Sequence, residues 1–282
     1  MTGMYQRKAF SMLELIFVIA ILGIVSSIGA EIIAQVYESY ILQRATHRSS
    51  VKVELAATQI ANRLAYAIPG TVIGRKGTTF TGIDDLDSSD YPVLEWMGFD
   101  NDSFGAQQTP GWSGFADIDA SNASSLATPG SKLSFTNTVI SNLGGTDISN
   151  AALFFPNTYT INTIGYGSDT SGVVPVTSST NDTTFNITLT GRTIKEHYKL
   201  SWSAYAVVAS DNGDGTFDLS LSYNYQPWNG DSYTGASSSP LIRNISVFRF
   251  TGSGNTIRFK ICQQEKIGST PITTCKEKAV IR

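Results

Sequence analysis

The chain has 282 residues, of which 41% are hydrophobic and 15% are charged, and its formal net charge at pH 7 is -3. A chain of this length can bury the core of one large domain or of two small ones. The acidic balance argues against nucleic acid as a partner, because a nucleic-acid-binding protein is expected to carry a basic face. No nucleic-acid partner is therefore expected.

The N-terminal segment combines a basic start with a long apolar run. Arg7 and Lys8 precede the run 10–30, in which Glu14 is the one charged residue. A membrane-spanning helix needs about 20 such apolar residues. A carboxylate inside the run is costly and indicates a functional role. A secretory signal peptide with a cut near Ala30, or a plain membrane anchor, would each leave Glu14 unexplained.

These residues resemble the N-terminal cleavage and methylation motif of type IV pilins and type II secretion pseudopilins. That motif has a short basic leader ending in Gly, then a Phe that becomes the new N-terminus, and a Glu shortly after it. Here the leader would be residues 1–9, with Ala9 where the family usually has Gly, and Phe10 would be the new N-terminus. The resemblance covers about the first 35 residues and implies cleavage between Ala9 and Phe10, followed by N-methylation of Phe10.

The resemblance also implies an assembly role for Glu14. In the family, this glutamate is thought to pair with the N-terminal amine of a neighbouring subunit, which here would be the amine of Phe10. A buried charge persists mainly when it is paired, which fits this role. The implied partners are a prepilin peptidase, other pilin or pseudopilin subunits and an inner-membrane assembly platform.

The implied location is the bacterial inner membrane, crossed once, and then the assembled filament. Arg7 and Lys8 are expected to stay on the cytoplasmic side, by the positive-inside bias. The head of the protein is therefore expected on the periplasmic side.

The helical pattern continues beyond the apolar run. Apolar residues recur at spacings of four and three, which is typical of an amphipathic helix; they are Val53, Ala57, Ile60, Leu64 and Ala67. Pro69 and Gly70 then stop the helix. We predict one helix from Phe10 to Ile68, about 90 Å long at 1.5 Å per residue. Its membrane part is 10–30 and its amphipathic part is 31–68.

Residues 71–192 are rich in Ser, Thr, Asn, Gly and Asp, and their apolar runs are short. Such runs between turn residues predict short strands; the segments are 93–94, 133–135 and 152–155. The segment 168–184 has almost no apolar density. It is predicted to be a long exposed loop.

The C-terminal third alternates apolar and polar residues. Segments 197–208 and 217–225 flank residues 210–215, which are rich in turn formers, and this pattern predicts an antiparallel hairpin. A second hairpin and a final strand are predicted at 245–250, 257–261 and 278–281. A long helix packed on this antiparallel sheet gives an α+β fold, with the head spanning residues 71–282.

Two cysteines, Cys262 and Cys275, lie close together near the C-terminus. In an oxidising compartment they should form a disulfide, which matches the C-terminal disulfide loop that the resembled pilins often have. Two unrelated free thiols are the alternative. A zinc site is less favoured, because the two histidines of the chain lie far away in sequence and offer no ligand set.

Carboxylate and amide side chains cluster at the turn of the first hairpin, and calcium favours such oxygen ligands. They are Asp211, Asn212, Asp214 and Asp218. Their spacing departs from that of an EF-hand, so a hydrophilic turn is the main alternative to a calcium site. No cofactor is otherwise required.

Four aromatic residues follow one another closely in the C-terminal third: Tyr223, Tyr225, Trp228 and Tyr233. Aromatics at alternate strand positions are more often core than surface, and Trp228 and Tyr233, beyond the strand, are the better surface candidates. The motifs of common enzyme classes are missing, so the chain is not expected to be an enzyme. The sequence therefore favours a minor pilin or pseudopilin. The alternative is a membrane-anchored adhesin or glycan-binding module.

Overall fold

The computed structural model describes residues 11–86, 91–105, 108–268 and 270–281. The helices are α1 (Met12–Leu64), α2 (Asn101–Phe104) and α3 (Leu133–Asn142). The strands are β1 (Ile73–Lys76), β2 (Thr79–Gly82), β3 (Val93–Gly98), β4 (Asp117–Asn122), β5 (Ser125–Ala127), β6 (Ala152–Phe154), β7 (Val174–Asn181), β8 (Thr184–Ile187), β9 (Lys199–Ser201), β10 (Ser203–Asp211), β11 (Phe217–Tyr225), β12 (Ser237–Ser253), β13 (Thr256–Ile267) and β14 (Thr270–Ile281).

Helix α1 runs without a break for 53 residues, which is about 80 Å at 1.5 Å per residue. The absence of proline before Pro69 permits this continuity. The helix ends at Leu64, so the predicted end at Ile68 is wrong. A residue before proline avoids the helical conformation, and the amide of Ile68 instead donates to the carbonyl of Met97 at 2.8 Å.

An eight-stranded antiparallel sheet forms the base of the head, in the order β14-β13-β12-β11-β10-β3-β1-β2. The C-terminal part of α1 packs on one face of this sheet and buries an apolar stripe that includes Val53, Ala57, Ile60 and Leu64. Their spacings of four, three and four place these side chains on one side of the helix. The predicted α+β class is confirmed.

A smaller six-stranded sheet has the order β4-β5-β8-β7-β6-β9, and α3 packs against it. A third apolar cluster joins residues of both sheets, among them Phe154 of β6 and Ala204 of β10. The two sheets therefore share one buried interior on the face of the large sheet that does not carry α1.

The first predicted hairpin forms, but its first strand is shared between the two sheets. Strand β9 belongs to the small sheet, whereas β10 pairs with β11 in the large sheet. The chain changes sheet at Trp202, whose side chain is buried and whose carbonyl accepts a hydrogen bond from Gln226 Nε2 at 2.9 Å. The single strand predicted over 197–208 is therefore interrupted.

The segment 133–135, predicted to be a strand, is the first turn of α3. Leu133, Thr136 and Ile140 are buried at helical spacing. The helix has no local side-chain cap, and Asp182 instead accepts a hydrogen bond from the amide of Ser134 at 2.9 Å. This contact between residues distant in sequence satisfies one of the free amides at the start of the helix.

The loop predicted over 168–184 is also wrong, because β7 occupies 174–181 and pairs with β6 and β8. Val174 and Val176 are buried, while the Ser and Thr residues that follow them, 177–180, are exposed or half-buried. Two buried apolar side chains are enough to form β7 here, because it also pairs with the neighbouring strands β6 and β8. The predicted strands at 93–94 and 152–155 are confirmed by β3 and β6.

The second hairpin is longer than predicted. Strands β12 and β13 pair from Ser253↔Thr256 to Ile245↔Gln263. The final strand β14 is 12 residues long and pairs with β13 in an unbroken register. The predicted short strand at 278–281 is only its last part.

Candidate functional site

The described part of the motif-bearing segment begins at Ser11 and continues into the first turn of α1. Ser11 is the N-cap residue, and its hydroxyl oxygen accepts a hydrogen bond from the amide of Glu14 at 3.3 Å. Glu14 thus lies in the first turn, near the positive end of the helix dipole, where a carboxylate is stabilised. The predicted leader 1–9 and the predicted cleavage site at Ala9 and Phe10 lie outside the described residues. The capping role of Ser11 was not predicted, although a Ser three residues before a Glu is a recognisable capping signal.

Up to residue 30, helix α1 exposes apolar side chains on all sides. Phe17, Ile21 and Ile24 are each about 60% exposed, and no side chain in 12–44 is buried. A helix that is apolar all round is suited to a membrane or to the interior of a helical bundle. Among the described residues, α1 is the one helix long and apolar enough to cross a membrane.

The transition to the head occurs at Ser49. This residue is fully buried, and its hydroxyl donates to Gln263 Oε1 at 3.0 Å. Five residues further on, Glu54 binds two lysines of β14, with Lys276 Nζ at 2.7 Å and Lys278 Nζ at 2.6 Å from its carboxylate oxygens. Hydrogen bonds from these lysines lower the pKa of Glu54 to about 2. The head is thereby attached to the helix from Ser49 onward.

The predicted disulfide between Cys262 and Cys275 is confirmed. It joins two directly opposed residues of β13 and β14, rather than closing an irregular loop as expected. The Cα atoms are 4.0 Å apart. The bond therefore ties together the two strands that lie beside the C-terminal part of α1.

The predicted calcium ligands lie at the turn between β10 and β11, where they bond to one another and to the turn. Asp211 accepts from the amide of Gly213 at 2.8 Å, and Asp214 accepts from the amide of Thr216 at 2.9 Å. The hydrogen bonds from Thr216 lower the pKa of Asp214.

Asp218, the fourth predicted ligand, accepts hydrogen bonds from other groups of the protein. Its Oδ1 accepts from Asn212 Nδ2 at 3.0 Å and from the amide of Asn244 at 3.1 Å. Across the described ranges, no group of three or more His, Cys, Asp or Glu converges as metal ligands would. Calcium binding at this turn stays a prediction.

The aromatic residues proposed for a binding surface are mostly core. Tyr225 and Trp228 are buried, which contradicts the expectation that Trp228 lies on the surface. Tyr223 is half-buried and lines a groove of about 730 Å³ beside the end of α1, together with Tyr205 and Tyr66.

A buried ion pair was not foreseen from the sequence. Arg75 Nε lies 2.6 Å from Glu95 Oε2, and Tyr225 donates its hydroxyl to Glu95 Oε1 at 2.9 Å. Arg75 also donates to the carbonyl of Tyr166 at 3.2 Å. Burial raises the pKa of the Glu95 carboxyl, and Arg75 opposes that rise. These contacts join β1, β3 and β11, which indicates a structural role in the head.

Comparison with known families gives one match. The prokaryotic N-terminal methylation motif matches residues 4–30 of this chain. No curated protein and no solved structure is significantly similar to the chain. The matched motif, the apolar helix and the disulfide together support a protein of the type IV pilin and pseudopilin class, in which the motif implies processing by a prepilin peptidase. The motif and the helix also fit a membrane-anchored protein.

Proposed function

We propose that this chain is a minor pilin or pseudopilin, a structural subunit that is assembled into a filament through α1. The observation that carries the proposal is that the matched motif continues into a long helix whose first two-thirds packs against none of the described residues of the head. Such a helix needs either lipid or other helices around it. A membrane-held subunit that later enters a helical bundle meets both requirements in turn.

In the proposed pathway, the precursor is held in the inner membrane by residues 10–30 with the head in the periplasm. The peptidase cuts between Ala9 and Phe10, and Phe10 is then N-methylated. Cleavage creates a cationic amine beside the N-cap residue Ser11. The carboxylate of Glu14 in a neighbouring subunit pairs with this amine, because a charge in an apolar bundle is stable mainly when it is paired.

The size of the head supports a minor role. Residues 71–282 form a head that is large for the main subunit of a filament in the resembled family. The subunit that caps a pseudopilus tip usually lacks the glutamate, so Glu14 argues for a position below the tip.

Processing is tested by intact-mass analysis of protein extracted from membranes. We expect a mass that lacks residues 1–9 and carries one added methyl group. Retention of Met1, or a cut after Ala30, would refute the proposed processing. A strain without its prepilin peptidase is the control and should yield the uncut chain.

The role of Glu14 is tested by Glu14→Gln, which keeps the side-chain shape and removes the charge. We expect normal membrane insertion, with incorporation into filaments lowered by roughly tenfold for a lost charge pair of 1.4 kcal/mol or more. Ser11→Ala removes the helix cap without changing charge, and Glu31→Gln removes a carboxylate elsewhere on the exposed helix. Both controls should assemble normally, and normal assembly of Glu14→Gln would refute the pairing role.

The alternative, a membrane-anchored adhesin or glycan-binding module, has one supporting observation. The groove lined by Tyr66, Tyr205 and Tyr223 offers aromatic rings next to polar side chains such as Asn62. Aromatic faces combined with hydrogen-bonding groups suit a sugar. The two functions differ in processing, because a permanent anchor requires no cut at Ala9.

A further inference from the structure

Strand β14 forms one border of the large sheet. It is 12 residues long, and among the described strands it pairs with β13 alone. A strand at a sheet edge presents a row of unpaired amides and carbonyls, which can pair with a strand of another chain. Edge strands of this length usually carry features that prevent pairing with another chain. Whether β14 carries such features therefore indicates whether its edge is open to a partner strand.

The disulfide reveals which backbone groups of β14 point outward. Opposed residues in an antiparallel pair are about 5.5 Å apart when they exchange hydrogen bonds and about 4.5 Å apart when they do not. Cys262 and Cys275 are opposed with their Cα atoms 4.0 Å apart, so they form a pair without mutual hydrogen bonds. The amide and carbonyl of Cys275 therefore point away from β13.

The register between β13 and β14 has no shift, so the same orientation recurs at every second residue. The residues with outward backbone groups are Thr273, Cys275, Glu277, Ala279 and Ile281. Pro271 belongs to the same set but has no amide hydrogen, so it closes the edge only near the hairpin turn.

The lysines that would normally protect such an edge are turned away from it. Lysine side chains on edge strands discourage pairing with other chains. In β14, Lys276 and Lys278 face α1, where both bind Glu54. The outward backbone groups from Thr273 to Ile281 are therefore not defended by these charges.

The surroundings of this edge are basic. Arg258 and Lys260 of β13 are exposed on the face opposite α1, where they are opposed by Ala279 and Glu277. On this face the two cations lie beside one carboxylate of β14, Glu277, while Lys276 and Lys278 are paired with Glu54 on the other face. This local excess of positive charge contrasts with the net charge of -3 of the whole chain.

We propose that β14 binds an extended acidic segment of a different protein, which adds to the large sheet as a further strand. Backbone hydrogen bonds to the residues from Thr273 to Ile281 would supply the affinity, and the exposed cations Arg258 and Lys260 would select acidic side chains. The proposal concerns the head and is independent of how the N-terminus is processed.

A second copy of this chain is the less suitable occupant. Its acidic edge strand is β4, which carries Asp117 and Asp119. The register of β4 with β5 shifts, and the amide of Ala120 already donates to Asp117 Oδ1 at 3.0 Å. Strand β4 therefore lacks the regular alternation of outward groups that pairing with β14 requires.

The test uses the full chain in detergent micelles and a fluorescent peptide of alternating Glu and Val, with an alternating Lys and Val peptide as the control. We expect the acidic peptide to bind roughly tenfold more tightly than the basic one, and binding to weaken with salt. Ala279→Pro removes one outward amide without breaking a bond to β13 and should lower affinity by roughly tenfold. Ala279→Ser keeps that amide and should bind normally.

A charge-reversed variant keeps the test decisive if Ala279→Pro fails to fold. Replacing Arg258 and Lys260 together by Glu changes only exposed side chains and should shift the preference toward the basic peptide. Hydrogen exchange should slow at the amides of Cys275 and Glu277 when the acidic peptide binds. The proposal is overturned if neither peptide binds, if a folded Ala279→Pro binds normally, or if the chain alone protects these amides at high concentration.

Discussion

Helix α1 is one continuous element whose two parts lie in different surroundings. Residues 12–44 pack against none of the described residues of the head, whereas Ser49 to Leu64 bury a stripe of side chains on the large sheet. Both parts are helical because the backbone hydrogen bonds are local. Helix formation and head stability are therefore separate properties here, and only the second part of α1 contributes to the free energy of unfolding of the head.

The largest expected effect concerns the interior of the head. Glu95→Ala should lower the free energy of unfolding by about 3–5 kcal/mol, because it leaves the buried Arg75 without a countercharge. Chemical denaturation followed by fluorescence of the buried tryptophans measures this change. Glu31→Ala, on the exposed part of α1, should change it by no more than about 0.5 kcal/mol. A similar effect of the two substitutions would contradict the structural role of the ion pair.

Two isoleucines, one in each part of α1, test whether only the second part stabilises the head. Ile60→Ala removes a buried side chain at the sheet and should destabilise the head by about 2–5 kcal/mol. Ile24→Ala removes the same atoms from a side chain that is 62% exposed and should leave head stability unchanged. If Ile24→Ala also destabilised the head, the two parts of α1 would have to be coupled.

The disulfide should contribute less than the buried ion pair. Replacing Cys262 and Cys275 together by Ala should cost about 3 kcal/mol on the chain-entropy model, for a sequence separation of 13. The melting temperature of the head, with and without reductant, measures this contribution. Reductant should lower the melting temperature of the wild type and leave that of the double variant unchanged; a wild type that is insensitive to reductant would contradict the prediction.

The smallest effect is a pH dependence at the contact of α1 with β14. The pKa of Glu54 is lowered from 4.5 to about 2 in the folded protein. Its contribution is therefore present above the unfolded pKa and is lost as the pH falls from about 4.5 through about 2. Glu54→Gln should remove this part of the acid sensitivity. The difference in melting temperature between Glu54→Gln and the wild type should stay constant between pH 6 and 8. If the wild type and Glu54→Gln were equally sensitive to acid, the predicted contribution of Glu54 would be contradicted.

Features governed by neighbours in sequence were largely predictable. The continuity of α1 follows from its apolar residues and the lack of proline, and the hairpin of β10 and β11 follows from alternation around a turn. The motif from Phe10 to Glu14 could be recognised in the same way, because its residues are close together in sequence. The match of residues 4–30 to a known methylation motif supports the class of protein that these residues indicated.

Features governed by distant residues were not predictable. The start of α3 depends on Asp182, the change of sheet at Trp202 depends on Gln226, and the pairing of Arg75 with Glu95 depends on three strands that meet only in the fold. In each case a polar group is satisfied by a partner far away in sequence, and no local pattern records such a partner.

The sequence by itself therefore determined the long helix, its membrane-length apolar part, the C-terminal hairpins and the class of motif, because each rests on periodicity or adjacency. Only the tertiary structure decided where α1 leaves the head, that Cys262 and Cys275 bridge two paired strands, and that the lysines of β14 turn toward Glu54. Those outcomes depend on which surfaces meet, and they are selected by the burial of apolar side chains between α1 and the large sheet and between the two sheets.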